Sequence, residues 1–204
     1  MNQSQFQKAA GISAGLAARW FPHIDAAMKE FRIFKPEDQA MFIAQAGHES
    51  AGFTRVLESF NYSVAALKAT FGKRLTAYQC EMLGRVDGQQ VAHQPQIANL
   101  AYGGRMGNKE QGDGWAFRGR GLIQITGRDN YAKCGAALKL DLLANPSQLE
   151  EDINAARSAA WFYTSSGCLS HSGDLVRITQ IINGGQNGIN DRRERYAKAK
   201  SVLM

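Results

Sequence analysis

The amino-acid sequence predicts a mostly α-helical domain arranged around one glycine-rich middle. Three observations carry that prediction. Apolar residues recur at helical spacing near the start, where Leu16, Trp20, Ile24 and Met28 make one stripe. Residues that start and stop helices stand at the edges of such segments, among them Ser13, Pro36, Asp174 and the pair Gly184 and Gly185. Nine glycines between residues 84 and 121 interrupt every period, so that stretch reads as loops with short extended pieces.

In chain order, the first helix is expected from residue 13 to about 31, capped by Ser13 and bent or split by Pro22 inside it. The second begins at Pro36, a good first-turn residue, with Glu37 and Asp38 facing the positive end of the helix dipole. Phe42, Ile43 and Ala46 form its apolar face, and Gly52 marks its end. Glu49 therefore lies at the C-terminal end of a buried helix and projects near the core side. Residues 122–126 read as a short strand or extended segment. A further helix covers residues 153–164, with Ala156, Ala160 and Trp161 on one face. Asp174 caps residues 175–182, which Gly184 and Gly185 terminate. A last helix is expected from about residue 191 to 202.

With 204 residues, 44% of them hydrophobic and 21% charged, the chain is long and apolar enough to bury a real core. No repeat, low-complexity tract or Pro/Ser-rich linker appears, so one domain over residues 1–204 is expected, without a tethered binding module. The balance of 24 basic to 18 acidic residues leaves a net charge of +6, which favours anionic polymers such as nucleic acid or bacterial wall material. Three widely spaced cysteines, Cys80, Cys134 and Cys168, exclude a disulfide scaffold and a CxxC site and read as reduced, mostly structural thiols. The first fifteen residues have no basic start followed by an apolar run, and no stretch of about 18 apolar residues occurs. A cytosolic protein without membrane insertion is the expectation.

Two carboxylates stand out. Glu49 lies in QAGHES and Glu58 in LESFNYS. Glycoside cleavage needs one carboxylic acid to protonate the leaving oxygen and a second carboxylate to activate water or attack the sugar. A glutamate at the end of a buried helix suits the acid, and one in an exposed loop suits the base. The competing readings are a helix-end carboxylate bonded to structure for Glu49 and a solvated surface charge for Glu58. His48 beside Glu49 does not begin HExxH, because Gly52 stands where the second histidine is required, so no metal is expected. His48 reads instead as a buried, hydrogen-bonded histidine. No P-loop motif is present. The single RGRG at residues 118–121 runs into an apolar segment and reads as a loop, so nucleic acid is not an expected partner.

Four segments, FIAQAGHES at residues 42–50, LESFNYS at 57–63, FRGRGLIQITGRDNY at 117–131 and ITQIINGG at 178–185, together resemble glycoside hydrolase family 19, in its phage endolysin branch more than its plant chitinases. The resemblance implies a lysozyme-like, two-lobed helical domain with a cleft lined by the glycine-rich region. It implies inverting hydrolysis of β-1,4-linked N-acetylated sugars, with Glu49 as general acid and Glu58 as the second glutamate, the base. Gln124 and Thr126 match the polar pair that binds sugar and holds the water. Asn183 matches a substrate-binding asparagine, and Arg192 looks like the arginine that supports the base. The bland readings are a buried Thr126 on a strand and Asn183 as a helix C-terminal residue. Two departures stand out: the glutamates are closer in sequence than in plant chitinases, and Asn187 stands where chitinases tend to have a glutamate.

The substrate expected from this is peptidoglycan, whose lactyl-peptide branches carry negative charge, and chitin is the alternative. A non-catalytic wall-binding protein is the rival from another class. No cofactor is implied by acid–base hydrolysis. The expected setting is a monomer held in a host cytoplasm and released to the wall by a holin-type pore.

Overall fold

The computed structural model describes residues 1–204 and is helical throughout, with β-bridges only as isolated pairs. The helices are α1 (Gln3–Ala10), α2 (Ala14–Glu30), α3 (Pro36–Glu49), α4 (Val64–Phe71), α5 (Ala77–Leu83), α6 (Gln94–Tyr102), α7 (Asp113–Ala116), α8 (Arg128–Leu138), α9 (Asp152–Ser165), α10 (Leu175–Asn183) and α11 (Ile189–Leu203). They form two compact units: Met1–Val56 with Arg120–Gln124 and Ser147–Met204, and Leu57–Gly119 with Ile125–Pro146. No helix is long and apolar enough to cross a membrane.

In the first unit α11 packs on α3 and α1, and α2 packs on α9. The Ser13 hydroxyl accepts from the Leu16 N–H at 3.3 Å and starts α2. Of the two outcomes expected at Pro22, a bend or a split, the split does not occur, and α2 runs unbroken through it. An interior proline costs about 3 kcal/mol. Trp20, Ile24 and Met28, on both sides of it, are at most 1% exposed, and burying each contributes about 1.5–3 kcal/mol. The two halves are therefore held to one core. Helix α3 starts at Pro36 and ends at Glu49, and its interior from Ala40 to Gly47 is buried.

Beyond α3 the chain turns through three successive left-handed residues, Ala51, Gly52 and Phe53, with φ of 50°, 74° and 63°. The two non-glycine members each carry about 1–2 kcal/mol of steric cost. Burial offsets it: Phe53 is 0% exposed, its carbonyl accepts from Trp20 Nε1 at 2.9 Å, and its N–H donates to Ser50 Oγ at 2.9 Å.

The second unit is organised around Phe60, which is wholly buried. The rings of Tyr62, Phe71, Tyr102 and Trp115 surround it with centroids 5.6–6.4 Å away. Leu67, Cys80, Ile97, Ala98 and Ala101 complete this core. The glycine-rich stretch is more ordered than expected, since it contains α6 and the short α7. Gly114 allows α7 to meet α6: a Cβ there would lie 2.5 Å from the Ala98 carbonyl oxygen. The strand expected at residues 122–126 is absent. Residues 121–124 form turns, flanked by Gly121 and Gly127 at φ of 90° and 89°. The three cysteines are buried.

Candidate active site

The first unit holds Glu49 as the last residue of α3. Its Oε1 accepts a short hydrogen bond from Arg192 Nη2, while its side chain stays 22% exposed. Arg192, on α11, has no exposed surface at all. Its Nη1 donates to Gln45 Oε1, and its Nε donates to the Asn187 carbonyl at 3.3 Å. Gln45 lies one turn before Glu49 on α3 and donates through Nε2 to Thr179 Oγ1 on α10 at 3.2 Å. One polar thread thus joins α10, α3 and α11 inside an otherwise apolar core. A buried guanidinium is tolerated because its donors are met.

This corrects the role expected for Arg192. It was read as the arginine that supports Glu58 and as a substrate contact. Its guanidinium is instead bonded to Glu49, Gln45 and the Asn187 backbone, and with no exposed surface it is closed to substrate. The reason lies in register: Gln45 and Glu49 are one turn apart on α3, and α11 packs against that face.

His48 also faces α11. Its Nδ1 lies 2.6 Å from Asp191 Oδ2, which also accepts from Arg195 Nε at 2.7 Å. The ring is partly buried rather than fully so. Burial opposes ionisation of Asp191, but the hydrogen bonds from His48 and Arg195 outweigh it and hold that carboxyl below its ordinary value. Gly188 closes the other side of the ring at φ 71°, with no room for a Cβ against His48.

The second unit holds Glu58. Its Oε1 accepts from the Tyr102 hydroxyl at 2.7 Å, and its Oε2 accepts from the Gly119 N–H at 2.9 Å. The Glu58 N–H donates to the Gly119 carbonyl at 2.9 Å, so side chain and backbone grip the same residue. Both donors to the carboxylate are neutral. Burial first, and then the charge of Glu58, push the Tyr102 phenol far above its ordinary value, so it stays a donor. Tyr62 is raised by the same two causes. Glu58 is therefore half-buried and anchored, not the freely solvated charge of its loop reading.

Gln124 belongs to the first unit and Thr126 to the second, both half-buried. The Thr126 carbonyl accepts from Asn130 Nδ2 at 2.8 Å. Asn183 is the last residue of α10, as its bland reading had it, and its Oδ1 is buried without a hydrogen-bond partner. An unmet buried acceptor of this kind costs about 1–3 kcal/mol until a donor arrives.

The glycoside hydrolase family 19 model, described as chitinase class I, matches residues 9–198. The chain belongs to glycoside hydrolase family 19. A Haemophilus influenzae protein described as a glycosyl hydrolase family 19 domain-containing protein is 38% identical over 190 residues, covering 86% of this chain and 89% of that one. Endochitinase CHI of Arabidopsis thaliana is 42% identical over 71 residues, which cover 34% of this chain and 26% of that enzyme. A mutant of chitinase C superposes with a TM-score of 0.64 over 99% of this chain and 76% of that one, at 18% identity, a likeness that concerns the fold. The protein is a family 19 glycoside hydrolase of chitinase-like type, with the lysozyme-like helical fold of that family's chitinases.

Within this family 19 frame, Gln45, Tyr102, Thr179 and Asp191 are polar partners to which no role was assigned from sequence. Gln45 carried a readable signal, since it is the one polar residue inside FIAQAG and stands at i, i+4 to Glu49. Tyr102, in NLAYGG, carried none.

Proposed function

We propose that this family 19 hydrolase cleaves β-1,4 linkages between N-acetylated sugars of bacterial peptidoglycan, by single displacement with inversion. Glu49 protonates the leaving glycosidic oxygen and Glu58 takes a proton from the attacking water. The observation that carries the reading is the contrast between the two carboxylates. Glu49 is bonded to a buried cation, whereas Glu58 is bonded only by neutral donors.

The acid role requires Glu49 to take up a proton before each turnover, and the carboxylate paired with Arg192 is the state left once that proton has been given. When Glu49 gives up its proton, a carboxylate forms beside Arg192 in a water-poor setting, where a preset cation stabilises the developing charge. Oε1 takes the Arg192 bond, leaving Oε2 for the leaving oxygen. Glu58 needs fixed orientation, which Tyr102 and Gly119 supply. The Thr126 hydroxyl is suited to hold the water, and the Gln124 amide to bind sugar. The half-buried Asn183 side-chain amide is the proposed contact to an N-acetyl group.

A net charge of +6 favours the carboxylate-bearing peptidoglycan over neutral chitin. The relative aligned over nearly its whole length is bacterial. Chitin is the second reading, favoured by the match to plant endochitinase. Wall access in a host cell through a holin-type pore follows from the peptidoglycan reading. The test is release of reducing ends from purified peptidoglycan and from colloidal chitin by wild type, Glu49→Gln and Glu58→Gln, with folding checked by circular dichroism. Release from peptidoglycan that vanishes in folded Glu49→Gln and drops steeply in Glu58→Gln supports the reading. Activity on chitin alone replaces the substrate, and undiminished activity in both variants removes the two glutamates from the chemistry.

A further inference from the structure

Gln45 has no part in the acid–base steps, yet it is 0% exposed and sits one turn before Glu49 on α3. A guanidinium only donates, so the Gln45 amide must turn its oxygen to Arg192 and its nitrogen to Thr179. The Thr179 hydroxyl, also 0% exposed, accepts from that nitrogen, so both ends of the amide that the guanidinium has oriented are met.

Arg192 is met on three sides. Two of its acceptors, the Gln45 amide oxygen and the Asn187 carbonyl, are neutral, and Glu49 is its one anionic partner. A carboxylate at position 45 would share the guanidinium charge. An amide there fixes its direction and leaves the charge undivided. Thr179 also lies one turn before Asn183 on α10, so the same amide ties that helix into the register of α3.

We propose that Gln45 is a positioning residue for the acid: it aims Arg192 at Glu49 and leaves Glu49 the whole of that charge. The catalytic consequence rests on the reading of Glu49 as the acid. The aiming itself belongs to three side chains and is measurable without substrate. Arg192 held in place needs no reorientation when the proton leaves Glu49, so loss of Gln45 acts on the chemical step rather than on substrate binding.

The experiment compares wild type with Gln45→Met, Gln45→Glu, Thr179→Val and Thr179→Ser. It measures the side-chain 15N–1H signals of Arg192, Tm, and kcat and KM on peptidoglycan and on colloidal chitin. Wild type is expected to show separate Nη1 and Nη2 signals, which merge in Gln45→Met as the guanidinium rotates freely. In that variant kcat falls on the order of tenfold with KM nearly unchanged. Gln45→Glu keeps the signals separate but lowers kcat, because the charge is shared. Thr179→Val gives an intermediate loss that Thr179→Ser restores. Separate signals and an unchanged kcat in Gln45→Met, whatever its Tm, overturn the proposal, as do merged signals in the wild type. Merged signals in Gln45→Met together with a wild type inactive on both polymers leave the positioning intact and remove the hydrolytic reading of Glu49. Should Gln45→Met fail to fold, Gln45→Glu and Thr179→Val decide, since wild-type kcat in both is equally fatal.

Discussion

Arg192 and Glu49 form an ion pair in which the cation is sealed from solvent and the carboxylate keeps 22% of its side chain open. The pair is thus presented from the inside of the protein outwards. Removing the cation leaves Glu49 and the amide oxygen of Gln45 each without a partner. Arg192→Met is expected to lower stability by about 3 kcal/mol, the scale for breaking a buried pair. Hydrolysis should fall by about 10²–10³ in kcat. Arg192→Lys keeps the charge but cannot reach three acceptors at once, so it should recover stability better than rate. Thermal melts and steady-state kinetics on the two variants check both halves.

Tyr102 holds Glu58 by a 2.7 Å bond from its hydroxyl, and its ring packs edge-on against Phe60 at 5.6 Å. Tyr102→Phe keeps the packing and deletes the donor. The expected cost in stability is about 1 kcal/mol. The larger effect should fall on kcat, because Glu58 then pivots on Gly119 alone. Equal kcat in wild type and Tyr102→Phe would show that the orientation of Glu58 does not matter.

Asp191 supplies a pH dependence with a definite sign. Its carboxyl is held below the ordinary value of about 3.9 in the folded chain. The folded state therefore binds the proton less readily than the unfolded one. The stabilisation is present above about pH 4 and is lost as pH falls through the lowered value. The side chain is 46% exposed, so screening limits the contribution to less than about 1 kcal/mol. Asp191→Asn should flatten the acid side of the Tm–pH curve by lowering Tm slightly above about pH 4 while leaving it little changed below the lowered value. A curve that keeps its full acid slope would assign that slope to other carboxylates.

Gly188 is the position least able to accept a side chain near the acid. Its φ of 71° disfavours any L residue, and a Cβ would run into the His48 ring. Gly188→Ala is expected to lower stability by about 1–3 kcal/mol and to push His48 away from Asp191. His48 chemical shifts and Tm report these separately.

Helices with a cap and an apolar stripe were legible from sequence: Ser13 starts α2, Pro36 starts α3, and Asp174 and Gly184 bound α10. The place of Glu49 at the end of α3 followed from that. Helix α6 was not legible, because glycines on both sides hid a run in which Ile97, Ala98 and Ala101 face the Phe60 core. The stretch at 122–126 looked extended because Ile and Thr favour strands. With no neighbouring strand to pair with, its Leu122 N–H turns to the Ala155 carbonyl at 3.4 Å. Helical spacing reveals which residues share a face, but not which helix arrives opposite. The partnership of Arg192 with Glu49 depends on α11 folding back over a sequence separation of 143 residues, which no local pattern records.

The left-handed turn at Ala51, Gly52 and Phe53 ends α3 through backbone handedness and the anchoring of Phe53, not through any bond made by the Glu49 side chain. The boundary of the helix is therefore indifferent to what residue 49 carries. Erasing the charge there leaves the helix boundary in place, and its cost falls on Arg192, which loses its anionic partner. For an engineer this separates two edits that are usually entangled: the reactive group can be exchanged for a glutamine trap that holds glycan uncut, with the surrounding architecture kept as a ready-made mould.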